Sequence, residues 1–462
     1  MPAIITKDFR IQNANQFKES FDESADTYYL AIGRPQAFAN DQAFNDGTDT
    51  SPPTPVDSVG SVDYYVYDDL MSAKKITSSN VSAVIPRRNW TTGTTYDYYR
   101  HDYGEINSAG SAIAANSGAT TLHDATFYVM NSTFDVYKCI DNNGDSASTV
   151  EPTGNKTTSV FSTGDSYKWK YMYTLTASEQ ANFMSTDFIH CSTESTDYST
   201  TAGAIEHAKV TAGGSSGTNG TYTNVDIRGD GSSGKCTVVV GSNAVTSVTI
   251  TTAGSGYTYA SVKASDIGNV SGADIDFIIS PPGGHATDVI AELGGFFVMM
   301  NVDFATSESG EFNTSNDFRR IALLRNPTDS TTGATATAST LDATKSITFS
   351  GTPGSFQADE KITQASTGAV GFVVDFNSTT KVLRYIQPQF ANQGIDTNQN
   401  VTAFSGTNTV TGGTSSATGT PSSHDVTPEL TADTGDILYI ENRKPISRAS
   451  DQTENVKLIV EF

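Results

Sequence analysis

Cysteine is almost absent: Cys139, Cys191 and Cys236 stand far apart in a chain of 462 residues. An odd, scattered set supports neither a disulfide framework nor a zinc knuckle; it fits small buried thiols in a protein that folds in a reducing cytoplasm. Basic side chains are scarce too, with 28 Lys and Arg against 51 Asp and Glu, a formal net charge of −23. Proteins that track phosphate backbones need a net basic surface, so the balance speaks against a nucleic-acid partner. Long apolar runs are missing. The longest, near residues 296–300, is far too short for a bilayer span, and the opening MPAIITKDFR has no apolar h-region. A soluble protein without membrane insertion is expected. The six histidines, His101, His123, His190, His207, His285 and His424, are dispersed. No two stand at metal-ligand spacing, and no Gly-x-Ser-x-Gly elbow occurs. We therefore expect no metal, no cofactor and no catalytic residue.

What is abundant is Ser and Thr, 115 together, with 39 Gly, 20 Tyr and 23 Phe. This is the composition of strands and turns around real apolar cores, not of long helices or disorder. Strands are expected over 28–32, 81–85, 125–130, 134–140, 167–175, 295–302, 318–324, 436–441 and 455–462. Short helices are expected near 15–23 and 287–293, and an Arg-Lys-Pro turn at 443–445. A loop over 40–58 contains Pro52, Pro53 and Pro55, which resist any regular element. Tyr167, Trp169, Tyr171 and Tyr173 alternate, which places four rings on one strand face.

Two stretches differ in composition: 204–283 and 331–426 are Gly/Ser/Thr-rich and each carries only 6 acidic and 4 basic groups. Turn signals recur every eight to twelve residues around β-branched runs at 237–240, 245–250, 347–350, 369–376 and 381–386, the pattern of a small sandwich or barrel. The expected organisation is a core over 1–203, 284–330 and 427–462, interrupted by two inserted all-β modules. The fold class is mainly β: a β-sandwich core with a few short helices plus those modules.

Several motifs weaken on inspection. The run 229–236 (GDGSSGKC) satisfies GxGxxG, yet a phosphate cradle needs a helix to start at the loop and Thr237-Val238-Val239-Val240 reads as a strand. A glycine-rich hairpin turn is the better reading. Asp141, Asn143 and Asp145 open like a calcium loop, but Ser146 and Pro152 occupy the positions that need Gly and Glu, so a turn is expected. The aromatic stripe at 167–173 reads either as a sugar-stacking platform or as the inner face of a buried strand. Arg87, Arg88 and Trp90 after Pro86 combine residue types that dominate protein interfaces; an Arg–carboxylate network that holds a loop is the alternative.

Read in order, AIGR (31–34), TPVDSV (54–59), AVIPRRNW (83–90), VYKCID (136–141), GDSYKWKYMYTL (164–175), FRRIALLRNP (318–327) and the C-terminal run from GDILYIENRKP to KLIVEF (435–462) resemble the baseplate wedge subunit numbered eight of T-even-type contractile-tailed phages. The two modules have no counterpart in that smaller relative. The first resembles β-modules of marine myovirus virion proteins. The resemblance implies a β-rich, non-enzymatic structural protein of the virion tail baseplate, assembled in the host cytoplasm. It implies a two-fold homodimer that packs with other wedge subunits and transmits conformational change on host attachment. Arg87, Arg88, Trp90, Glu441, Asn442 and Arg443 are the candidate structural or subunit-contact residues. The rival readings are a carbohydrate- or receptor-binding tail protein and a tail-associated glycan depolymerase, which would need a carboxylate pair in a cleft.

Overall fold

The computed structural model describes residues 4–38, 47–56, 66–106, 110–154, 156, 160–192, 201–305, 312, 316–388, 394–398, 400–449 and 451–462. Residues 40–46 and 57–58 of the expected 40–58 loop, and residues 57–59 of TPVDSV, fall outside them. Strands dominate, and the described α-helices are short: Lys7–Glu19, Ala177–Phe183 and Val289–Leu293. The first begins earlier than the expected 15–23. Thr6 supplies the reason, because its hydroxyl accepts the Phe9 N–H and caps the helix there. Thr176 and Glu179 form a capping box for the second helix, and Asp288 with a left-handed Gly294 brackets the third. The chain divides into two compact units, Met1–Gln16, Ser82–Met299 and Ile459–Phe462 in one, Phe17–Val81 and Met300–Leu458 in the other.

In the first unit, a four-stranded sheet runs in the order Tyr128–Met130, Asp135–Asp141, Lys168–Thr174, Phe161–Ser162. Trp169, Tyr171 and Tyr173 are buried in its core cluster with Tyr137, Phe127 and Val129. The aromatic stripe is therefore inner strand face and no open platform. Further along, Ile205–Ala212 pairs with Asp274–Ile279, and Gly220–Asp226, Lys235–Gly241 and Ala244–Thr252 form a three-stranded sheet. Val225, Cys236, Val238, Val240, Tyr257 and Phe277 fill a cluster of their own. The glycine-rich loop leads into the strand Lys235–Gly241. Its Gly231 is required by packing, since a Cβ there would lie 2.4 Å from the Tyr257 ring.

In the second unit, a five-stranded antiparallel sheet runs Thr340–Asp342, Leu70–Ile76, Tyr28–Gly33, Phe318–Arg325, Asp436–Ile446. Its middle strands are buried almost end to end, and the last is half-exposed along its length. The turn expected at 443–445 is not there: the strand continues through it to Ile446. An edge strand tolerates Pro445 because one side of its backbone has no partner to lose. Six strands, Lys345–Ser350, Lys361–Gln364, Ala369–Asn377, Val382–Ile386, Val410–Gly412 and Thr418–Asp425, close into a small barrel. Ile347, Phe349, Ile362, Val373, Leu383, Tyr385 and Phe404 pack its interior.

Candidate functional site

The motifs converge on two buried polar clusters, one in each unit. In the second unit, AIGR, FRRIALLRNP and the C-terminal run meet at Asp69. Arg320 donates to both Asp69 carboxylate oxygens at 2.8 and 2.9 Å, and Arg34 lies 3.7 Å from the same carboxylate. Gly33 is fixed by this approach, because a Cβ would fall 2.6 Å from the Asp69 carbonyl oxygen. Asn442 completes the cluster: its side-chain oxygen accepts from Arg320 at 3.0 Å and its amide donates to the Pro53 carbonyl at 3.1 Å. Beside it, Glu441 and Arg443 form a 3.2 Å pair with side chains 36% and 49% exposed. Of the three C-terminal candidates, Asn442 is half-buried and tied to Arg320 and Pro53, while Glu441 and Arg443 pair with each other beside it.

Arg87, Arg88 and Trp90 follow the strand Val81–Pro86 in the first unit. Arg87 donates to the Asn89 side chain at 3.0 Å and the Ser185 carbonyl at 2.9 Å. Arg88 donates to the carbonyls of Ala125 and His123 and lies 4.6 Å from the Tyr128 ring centroid. Trp90 donates to the Ser148 hydroxyl at 3.1 Å. Among the described residues both arginines thus find carbonyl or amide oxygens, and neither pairs with a carboxylate. The arrangement ties three segments of chain together through charge-assisted bonds.

The second cluster lies behind the aromatic stripe and involves residues that sequence reading passed over. Alternation that turns Trp169 and Tyr171 one way turns Lys168 and Lys170 the other. Lys138 stands directly opposite Lys170 on the neighbouring strand, and both side chains are 0% exposed. Like charges opposite one another are destabilising unless each finds a partner. Lys138 contacts Glu292 of the last short helix and the His285 Nδ1, 2.5 Å away; Lys170 lies 3.2 Å from Glu206. At the end of the row, Lys168 lies 3.0 Å from His207 Nδ1, whose Nε2 is 2.9 Å from Asp141.

Burial and partners divide the titrations. Burial drives His285 down to about 4, aided by the Lys138 charge, so the ring is neutral at pH 7. Burial also pulls Lys138 below its ordinary value against the pull of Glu292. Burial pushes Glu292 up, but the Lys138 charge and bond override it and leave its carboxyl below normal. The centre of the row, Lys138, Lys170, His285 and Glu292, is shut off from solvent while Glu206 and Lys168 reach its edge, an arrangement suited to a structural lock. The only sequence signal was the Lys-x-Lys interleaved with aromatics at 168–170.

A cavity of about 730 Å³ in the same unit is lined by Arg10, Tyr99, His123, Tyr257 and Phe296 among others. Burial holds His123 down at about 4 there. Among the described residues no group of three His, Cys, Asp or Glu could hold a metal ion, and no helix is long and apolar enough to cross a membrane.

Residues 3–150 match the family model described as Phage-Gp8, Bacteriophage T4, Gp8. That match covers about the first third of the chain. A curated relative, baseplate wedge protein gp8 of Enterobacteria phage T4, is 26% identical over 215 residues, 40% of this chain. The match spans 60% of that relative's length. The matched residues include Arg34, Asp69, Arg87, Arg88, Trp90 and Lys138, so both clusters have a foot in them.

Proposed function

We propose that this protein is a structural subunit of the baseplate wedge of a contractile phage tail. The carrying observation is the gp8 match over residues 3–150, supported by the T4 relative. The motifs that define the resemblance hold buried ion pairs and sheet pairings, which fits a role in which the protein makes and breaks no bond of a substrate. In this reading it is a virion component of the tail baseplate, assembled in the host cytoplasm as a two-fold homodimer. It joins other wedge subunits and passes on their rearrangement at host attachment. An isologous interface uses one patch twice. The segments 204–283 and 331–426 are two inserted β-modules on a gp8-like core, the second a barrel.

The two segments contribute −2 each to the net charge of −23, so the other 286 residues carry −19. Partner subunits should therefore present basic patches, and association should weaken with salt. Native mass of the purified protein, alone and mixed with its virion neighbours, tests the reading. A dimer that enters a larger, salt-sensitive complex is expected. A monomer that joins nothing overturns it. The buried aromatic stripe removes the observation that favoured a glycan-binding platform.

A further inference from the structure

Lys138 and Glu292 are separated by 154 positions in sequence, yet their side chains meet at 0% and 3% exposure. Three more groups complete the setting. His285, 1% exposed, holds Nδ1 at 2.5 Å from Lys138 Nζ and 3.9 Å from Glu292 Oε2. The Ala286 N–H donates to Glu292 Oε1, the other carboxyl oxygen. The Tyr99 ring closes the site, its centroid 4.4 Å from Nζ and its edge against His285. A nucleophile, an acyl group, a proton carrier and an oxyanion donor are thus held together in a dry pocket.

We propose that Lys138 and Glu292 condense into an intramolecular isopeptide bond, an amide between Lys138 Nζ and Glu292 Cδ. The ion pair first becomes a neutral pair by passing one proton from Nζ to the carboxylate. Burial favours this form because it removes two charges from a low dielectric. The free amine then attacks Cδ and the N–C bond forms. Charge that develops on Oε1 meets the Ala286 N–H. His285, neutral by virtue of its burial, takes the proton that the attacking nitrogen sheds and delivers it to Oε2. The Cδ–Oε2 bond breaks and Oε2 leaves as water. Acid plus amine becomes amide plus one water, with nothing oxidised or reduced and no cofactor required. Exclusion of solvent protects the product from the reverse reaction.

The neighbouring pair supplies an internal contrast. Lys170 and Glu206 are 3.2 Å apart, but the Glu206 side chain is 27% exposed, so water reaches its carboxylate and the neutral pair is not favoured there. The crosslink is therefore specific to Lys138 and Glu292. It would join the strand Asp135–Asp141 covalently to the helix Val289–Leu293 across the base of the segment 204–283.

Intact-mass measurement of the denatured full-length protein tests this, followed by tryptic mapping. The expected mass is one water below that of the sequence, with no cleavage after Lys138 and a branched peptide containing both Lys138 and Glu292. Lys138→Arg keeps the charge but is no match for the condensation, so it should run at full mass. Wild-type protein at full mass, with ordinary cleavage after Lys138, overturns the proposal. So does a water-deficient K138R variant, which would put the lesion elsewhere. In refolded protein, His285→Asn should slow conversion by about 100-fold; conversion at the wild-type rate overturns the proton relay.

Discussion

One sheet, Tyr128–Met130 through Phe161–Ser162, has two faces of opposite character, and both are buried. On one side Trp169 stacks on Tyr167 at a centroid distance of 5.5 Å, Tyr171 meets Tyr137 edge-on at 5.7 Å, and Tyr173 is buried in the same cluster. On the other, Lys138 and Lys170 face each other and are compensated by Glu292, His285 and Glu206. The aromatic face coheres through area removed from water, which is non-directional and tolerant of small shifts. The cationic face coheres only while each charge keeps its partner, so it fixes where the covering strand Ile205–Ala212 and the helix Val289–Leu293 must sit. The first face supplies stability; the second supplies placement.

The comparison breaks most sharply at Lys138. Lys138→Met strands the Glu292 carboxylate in the interior, and unfolding in denaturant should show a loss of about 5 kcal/mol, the upper end for one partner removed from a buried pair. On the aromatic face Trp169→Ala should cost about 4 kcal/mol through the cavity it opens. Trp169→Phe should cost less, because the indole N–H is buried without a partner among the described residues and its removal leaves nothing unsatisfied. If K138M proves neutral while W169A is severe, the cationic row contributes no placement and the contrast fails.

Acid sharpens the same contrast, since only one face titrates. The His285 pKa falls from an unfolded value of 6.5 to about 4 in the folded state. The unfolded chain therefore binds the extra proton first. Stability is constant above pH 6.5, declines as pH falls from 6.5 to 4, and levels below that, for a total of about 3 kcal/mol. Urea midpoints across that window should show the slope, and His285→Asn should flatten it. A slope unchanged in H285N would assign the acid sensitivity elsewhere.

The aromatic face was legible and the cationic face was not, for one reason. Rings at every second position are a strong sign of burial, and lysines in the alternate positions read as the solvent side of the strand. Nothing local to 168–170 says that a second layer, more than thirty residues away in sequence, will cover them. Strands rich in β-branched or aromatic residues were found within a few residues of their ends, as at Tyr28–Gly33 and Phe318–Arg325. The strand through Pro445 was missed because proline reads as a stop unless the edge position is known. In the candidate set, Arg88 and Asn442 were visible as residue types, but their carbonyl and guanidinium partners lie in distant segments that a single chain does not announce. Arg88→Ala tests the weight of such a group: two bonds to carbonyls and a ring face are lost, and Tm should drop by the equivalent of about 2 kcal/mol.

The smallest effect is expected at the rim of the other unit, where Glu441 and Arg443 pair in the open. Solvent screens their attraction, and holding two long side chains together costs rotamer freedom, so exposed pairs contribute little. Arg443→Ala should change stability of the isolated protein by less than about 0.5 kcal/mol. Its neighbour Asn442 sets the scale, because Asn442→Ala takes an acceptor from the buried Arg320 and should cost about 2 kcal/mol. A residue that is silent for folding is free to act in association. If R443A leaves the melting curve in place but weakens dimerisation or wedge binding in a salt-dependent way, the rim pair faces a partner. If R443A destabilises the isolated protein as much as N442A does, the division between a half-buried, hydrogen-bonded Asn442 and an exposed rim is wrong.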